Sequence, residues 1–87
     1  MIVWDNGGDG HVGIVSDLAN DKLTVIESNW GNTTDQSRKK WKAEDDNSVT
    51  ENYGRYTEVE FNLSSGNLNR GAYEFKAYVY PSDKISI

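Results

Sequence analysis

His11 is the residue of this chain best suited to acid–base chemistry, because imidazole exchanges protons near neutral pH. It lies in residues 10–15 (GHVGIV), a glycine-led apolar run typical of the start of a β-strand. A second β-prone run, residues 23–31, carries the carboxylate of Glu27 and the amide of Asn29 two positions apart. A base on one strand, with polar groups that could orient it on the next, is the arrangement that these spacings indicate.

The two runs are predicted to form an antiparallel hairpin with a loop of several residues centred near 18–21, because Asn20 and Asp21 favour turns. The first residues of one strand then oppose the last residues of the other. We therefore expect His11 to be a cross-strand neighbour of the segment from Glu27 to Asn29, within hydrogen-bonding reach. A carboxylate that accepts from one imidazole nitrogen fixes the tautomer, so that the other nitrogen can accept a proton.

The partner that such a base commonly serves, a cysteine thiol, is absent, because the chain has no cysteine. Disulfides and thiolate metal sites are excluded for the same reason. One histidine leaves only carboxylates as further metal ligands, and Asp5 and Asp9 lack the spacing of a calcium loop. No metal or cofactor site is expected within these 87 residues.

Composition limits the possible partners. A chain of 87 residues forms one small domain, and its 36% apolar content is low for that size. Three Trp, five Tyr and two Phe offset this in part through large buried areas. The net charge of −5 argues against nucleic acid or an anionic membrane as the main partner. We expect no membrane-spanning run and no signal peptide, and we interpret the basic run at 38–42 as a solvated loop.

Period-two alternation indicates about five strands and almost no helix, so the chain is predicted to be mostly antiparallel β, as a small sheet or half-barrel. Leu23, Val25 and Glu27 are expected to share one face of their strand. The expected strands are residues 2–4, 12–16 (buried on both faces), 23–26, 53–62 and 73–79. Residues 32–52 are expected to be a long loop with one short helix around 35–41, and residues 82–87 the start of a linker.

The runs IVWDN, GHVGIV and IESNW, between residues 2 and 30, resemble the second half of a CHAP domain (cysteine, histidine-dependent amidohydrolase/peptidase). The resemblance extends weakly to the aromatic-rich strand at 73–81. CHAP domains are α+β proteins of papain-like fold, related to the NlpC/P60 hydrolases. Many are phage endolysins or bacterial autolysins that cleave peptidoglycan.

The resemblance implies a role for each matching residue. His11 matches the catalytic histidine, Glu27 the acidic residue that orients it, and Asn29 the further polar residue that assists. Trp30 falls where the family lines its substrate groove. The family's nucleophilic cysteine, and the calcium loop of some phage members, belong to an N-terminal helical half that these residues do not match.

Residues 1–81 are therefore expected to be the C-terminal β portion of a CHAP domain, inactive alone as an amidase or endopeptidase. The expected partners are peptidoglycan and a complementary N-terminal segment or further copies of the chain. The expected location is the cytoplasm of a phage-infected host, with action on the cell wall, or the extracellular space. The alternative is a non-catalytic β module that binds cell-wall glycan or peptide through Trp30, Trp41 and the Tyr-rich strands.

Overall fold

The computed structural model describes residues 1–28, 39–42 and 46–79. These residues form a single open sheet of seven antiparallel strands. The strands are β1 (Ile2–Asp5), β2 (Gly10–Ala19), β3 (Lys22–Glu27), β4 (Lys39–Trp41), β5 (Ser48–Asn52), β6 (Thr57–Asn62) and β7 (Glu74–Tyr78), with a 3-10 turn at Leu63–Ser65. Their order across the sheet is β4-β5-β6-β3-β2-β1-β7. The predicted antiparallel β class is confirmed.

The hairpin of β2 and β3 closes through a tighter turn than the sequence suggested. Only Asn20 and Asp21 lie outside the strands, with φ of 54° and 64°, and Ala19 pairs directly with Lys22. Two consecutive left-handed residues match the twist of the flanking strands, which is why a two-residue turn suffices. The expected loop of several residues is therefore wrong, since Leu18 still pairs with Leu23.

The two ends of strand β2 pair with different neighbouring strands. Its first residues pair with β1, and the residues from Ile14 onward pair with β3. The register shifts between Val15 and Asp17, as at a β-bulge, which increases local twist and coils the sheet. His11, at the start of the strand, consequently lies beside Trp4 of β1.

The core lies on one face of the coiled sheet, termed the inner face. Its buried apolar side chains are Ile2, Trp4, Leu23, Val25, Val59 and Phe61. They occupy alternate positions of β1, β3 and β6, as the period of two requires. The segment after β6 covers them: Leu63, Leu68, Tyr73 and Phe75 pack against the cluster, and Trp4 Nε1 donates to the Leu68 carbonyl at 2.7 Å.

The expected burial of β2 on both faces is wrong. Val12 and Ile14 are 52% and 66% exposed, whereas Gly13 between them is buried. These two side chains lie on the outer face of the sheet, opposite the core, and no described residue covers them. The apolar run therefore predicted the strand correctly, but it did not predict that one face of the strand is exposed.

Two strands occupy the region expected to be loop. β5 was missed because its inward positions are polar: Ser48, Thr50 and Asn52 are buried beside Phe61, Val59 and Thr57 of β6. Without apolar alternation, hydropathy gives no strand signal. β4 pairs with β5, so the short helix expected around 35–41 is wrong for residues 39–41. The described residues therefore form seven strands rather than the expected five or so.

The remaining part of that helix and the linker at 82–87 lie outside the described residues. Within the described ranges, no helix is long and apolar enough to cross a bilayer.

Candidate functional site

The candidate site is centred on the contact between His11 and Glu27. Nε2 of His11 lies 2.7 Å from Oε2 of Glu27, and the histidine side chain is 10% exposed. Because a carboxylate only accepts, Nε2 is the donating nitrogen in this pair. The predicted cross-strand contact is present, and it places the imidazole tautomer under the control of a buried carboxylate.

Two aromatic rings hold the imidazole in place. The Trp4 ring stacks on it at a centroid distance of 5.4 Å and an interplanar angle of 27°. Tyr73 packs against it at 5.8 Å and 53°. Trp4 is fully buried and hydrogen-bonded, so the ring that supports His11 is itself fixed. The orientation of the imidazole is therefore set by packing as well as by Glu27.

Gly13 makes the approach of β2 to β3 possible at this point. A Cβ atom at Gly13 would lie 2.3 Å from Cγ1 of Val25 and 3.3 Å from the Ile26 carbonyl oxygen. At 2.3 Å the Val25 side chain or the strands would have to shift, and at 3.3 Å the Ile26 carbonyl would have to give slightly. A glycine two residues after His11 therefore keeps the histidine within reach of Glu27.

Glu27 is held by three further donors, all on its other oxygen. Thr57 Oγ1 donates to Oε1 at 2.9 Å, and Arg70 donates to it through Nε at 2.8 Å and also through Nη2. Thr57 is the register partner of Glu27 across β3 and β6. With Oε1 occupied in this way, Oε2 is directed towards His11.

Arg70 also binds a second buried carboxylate, that of Asp46. Its Nη1 donates to Asp46 Oδ2 at 3.1 Å, and the Gly71 amide donates to the same oxygen at 3.2 Å. The side chains of Glu27, Asp46 and Arg70 are all fully buried. Two carboxylates around one guanidinium leave one net negative charge, so an imidazolium formed at His11 would neutralise the cluster.

The pKa of Glu27 reflects these contacts. Burial raises it, but the hydrogen bonds from His11 and Arg70, together with their charges, outweigh burial and lower the pKa below its ordinary value of 4.5. Glu27 is therefore ionised at neutral pH. It can act as a fixed anion that orients the imidazole and stabilises its protonated form.

A polar row continues from this cluster along the inner face of β5. Asp46 Oδ1, Ser48 Oγ and Thr50 Oγ1 are buried, and none has a hydrogen-bond partner in the described part of the chain. Each such atom costs about 1–3 kcal/mol when left unpaired. The β5 side of the site is thus polar, and its buried oxygen atoms do not use their full hydrogen-bonding capacity within the described residues.

The sequence identified two of the residues that meet here, His11 and Glu27. Asn29 and Trp30, the other two predicted site residues, lie outside the described residues. Sequence reasoning missed Thr57, Arg70 and Asp46. The pairing of Thr57 with Glu27 would follow from the register of β3 and β6, whereas nothing local to Arg70 or Asp46 indicates burial.

Among the residues that the structure describes, no group of three or more His, Asp or Glu side chains is placed to hold a metal ion. Together the fold and the site define an antiparallel β-sheet protein with a buried His–Glu–Arg–Asp cluster at one face. Comparison with protein-family models, with curated proteins and with solved structures finds no match to this chain.

Proposed function

We propose that this chain provides the base and the orienting carboxylate of a CHAP-type, cysteine-dependent peptidoglycan hydrolase of α+β, papain-like parent fold. The observation that carries the proposal is the 2.7 Å contact between His11 Nε2 and a Glu27 carboxylate that Arg70 and Thr57 hold in place. A surface strand carboxylate would not be buried and contacted by three polar side chains. The cysteine comes from a segment outside these 87 residues, which contain none.

The proposed reaction is acyl transfer through a thioester. With Nε2 bound to Glu27, Nδ1 takes the proton of the cysteine thiol, and the thiolate attacks an amide carbonyl carbon of the substrate. The carbon–nitrogen bond breaks as the imidazolium returns its proton to the leaving amine. Water then gives a proton to the imidazole and its oxygen to the carbonyl carbon, which releases the thiolate and a carboxylic acid.

Glu27 stays ionised throughout this cycle. It compensates the imidazolium that forms twice per turnover, and its fixed position avoids reorganisation at each step. In this scheme Arg70, Asp46 and Thr57 act through Glu27 rather than on the substrate. We assign Asn29 the further polar role and Trp30 a place in the substrate groove, on the resemblance alone.

The substrate class proposed is peptidoglycan: a stem peptide, a cross-bridge or the bond that joins peptide to sugar. An endolysin acting on the wall from the host cytoplasm and a secreted autolysin are both consistent with this chemistry. Any calcium would bind the cysteine-bearing segment. The same segment, or further copies of the chain, would be the protein partner.

Complementation tests the proposal. The purified chain, mixed with the cysteine-bearing N-terminal half of a CHAP hydrolase, should reduce the turbidity of a cell-wall suspension, while either part alone should not. His11→Ala and Glu27→Gln should abolish the effect, and Glu74→Gln, at an exposed carboxylate of β7, should not. If the 87-residue chain alone cleared cell walls, the cysteine mechanism would be wrong.

The single histidine allows a direct spectroscopic test. In untagged protein its two ring nitrogens give the only imidazole ¹⁵N signals. At a pH where the ring is neutral, the shifts should report a proton on Nε2. Glu27→Gln should change this tautomer preference, since an amide can donate as well as accept, whereas Glu74→Gln should leave it unchanged. An Nδ1-protonated ring in the unmodified chain would contradict the proposed orientation.

One observation favours the alternative, a non-catalytic module that binds cell-wall glycan or peptide. Tyr53 and Tyr56 stack at a centroid distance of 4.9 Å and an angle of 17°, and Tyr56 is 40% exposed. An exposed tyrosine ring that a second ring supports is suited to a sugar or peptide face. Binding of peptidoglycan fragments that survives His11→Ala and Glu27→Ala, but is lost on Tyr56→Ala or Trp30→Ala, would support this function over the first.

A further inference from the structure

The outer face of the sheet carries an apolar patch in its centre. The patch consists of Val12, Ile14, Ile26 and Tyr56, which are 52%, 66%, 36% and 40% exposed. Val12, Ile14 and Ile26 lie on β2 and β3, and Tyr56 directly precedes β6, so the patch is away from the edge strands β4 and β7. A strand added at an edge would not cover it, so a partner must pack on the face of the sheet.

An acidic strip borders the patch on one side. Ile14 pairs with Ile26, Ile26 with Glu58, and Glu58 with Glu51, so these four side chains form one row across β2, β3, β6 and β5. Glu60 lies two residues further along β6, on the same face as Glu58. The acidic strip consists of Glu51, Glu58 and Glu60. Along this row, the outer face therefore changes from apolar on β2 and β3 to acidic on β6 and β5.

The acidic strip has an incomplete set of counter-charges. Lys22 lies 3.1 Å from Glu60, and Lys40 is the register partner of Glu51. Within the described ranges, no cation pairs with Glu58, although Glu51 lies directly opposite it. Like charges placed opposite each other across strands repel, so a cation supplied from outside would stabilise Glu58.

We propose that this face binds a cationic amphipathic helix of another polypeptide, with its apolar stripe on the patch and its Lys or Arg side chains at the acidic strip. Three strand spacings separate Ile14 from Glu51, roughly 14 Å at about 4.8 Å per spacing. A helix with its side chains is about 10–12 Å across, so it spans the patch and reaches the strip with one flank. Burial of the apolar stripe supplies the affinity. The acidic strip determines the orientation of the helix, because the basic flank must face the strip.

A second copy of the chain fits this face less well. Each copy has a net charge of −5. Lys22 and Lys40 already lie beside Glu60 and Glu51, and Lys76 lies 3.3 Å from Glu74, so each of these lysines would have to leave a carboxylate to reach Glu58 of a second copy. The site is also separate from the candidate catalytic site, since Ile14 and Ile26 leave the sheet on the side opposite Trp4 and Val25.

The test uses an 18-residue Lys/Leu peptide whose leucines follow a helical period, titrated with the protein and followed by fluorescence anisotropy. Two matched probes are a Glu/Leu peptide of the same pattern and a scrambled Lys/Leu peptide. The Lys/Leu helix should bind at least tenfold more tightly than either. Its affinity should fall about tenfold on Ile14→Ser and several-fold on Glu58→Gln, with a weaker salt dependence for the second variant.

Two matched variants control for general stickiness and charge. Leu18→Ser alters the same strand at similar exposure, 64%, but Leu18 pairs with Leu23 and shares its side of the sheet. Glu74→Gln removes one carboxylate from β7. Neither should change binding by more than twofold. Equal binding of the scrambled peptide, or equal loss with Leu18→Ser and Ile14→Ser, would overturn the proposal, as would a dimer that Ile14→Ser dissociates in sedimentation.

Discussion

Arg70→Met should be strongly destabilising, because Arg70 is the cation that bridges two buried carboxylates. Its guanidinium donates to Glu27 and to Asp46, and all three side chains are fully buried. Methionine has a similar length and no charge, so the substitution removes the hydrogen bonds with little change in packing. Among the described residues, it leaves Glu27 with His11 and Thr57 as donors, and Asp46 with the Gly71 amide.

Breaking a buried ion pair by removing one partner costs about 3–5 kcal/mol. A chain of 87 residues has a total stability of about 4–13 kcal/mol, from about 0.05–0.15 kcal/mol per residue. The substitution therefore removes a large part of the stability. With a urea m-value of about 1–1.5 kcal/mol/M for a small domain, the unfolding midpoint should fall by about 3 M.

The effect should depend on pH, with a sign that follows from Glu27. Because folding lowers the pKa of Glu27, this residue contributes to stability at pH values above its ordinary pKa of 4.5. The contribution is lost as the pH falls through the pKa of the folded state. In Arg70→Met, His11 and Thr57 oppose the effect of burial without the guanidinium, and protonation of the two carboxylates relieves the unpaired charge. The deficit relative to the unmodified chain should therefore be largest near pH 7 and should shrink towards pH 4.

The assay is urea unfolding followed by far-UV circular dichroism at pH 4, 5, 6 and 7. Arg70→Lys keeps the charge without the forked geometry and should recover part of the loss. The double variant Arg70→Met with Asp46→Asn should be more stable than Arg70→Met, which keeps the test informative if the single variant does not fold at pH 7. A deficit below about 1 kcal/mol, or one that does not vary with pH, would refute the description of a buried charged cluster.

Three further predictions concern single residues. Thr57→Val should cost about 1.5–3 kcal/mol in chemical denaturation, because a buried carboxylate loses a hydroxyl donor at 2.9 Å, whereas Thr57→Ser should cost less; equal losses would mean that the hydroxyl is unimportant. Gly13→Ala should cost about 1–3 kcal/mol and lower the melting temperature, since its Cβ would meet Val25 at 2.3 Å, whereas Gly10→Ala, with its nearest atom at 3.7 Å, should be milder. Asn20→Val should cost about 1–2 kcal/mol because φ is 54° there, whereas Asn20→Gly should be neutral or stabilising; tolerance of valine in a thermal melt would argue against the two-residue turn.

The sequence was sufficient for the elements whose inward residues are apolar. Leu23 and Val25 on β3, and Val59 and Phe61 on β6, alternate with polar residues, and their faces are as predicted. The same alternation placed Glu27 on the buried face, which made its contact with His11 predictable. Strand β5 lacks this signal because Ser48, Thr50 and Asn52 occupy its inward positions.

The rest of the site could not be predicted, for a different reason. The burial of Arg70 depends on Glu27 and Asp46, which lie 43 and 24 positions away in the chain. No local pattern marks such a residue, because an isolated arginine is usually exposed. The exposure of Val12 and Ile14 was missed for a related reason: what covers a strand face is decided by other segments of the chain.

The spread of Glu27's partners along the chain has a consequence for how the molecule folds. They lie 16, 30 and 43 positions from it, on β2, on β6 and in the segment before β7. Closing the longest of these loops is entropically costly, so contacts of this kind tend to form late. We therefore expect the imidazole resonances of His11 to reach their native positions only in the last kinetic phase of refolding. The single histidine would then be an intrinsic NMR probe of the step that completes the sheet.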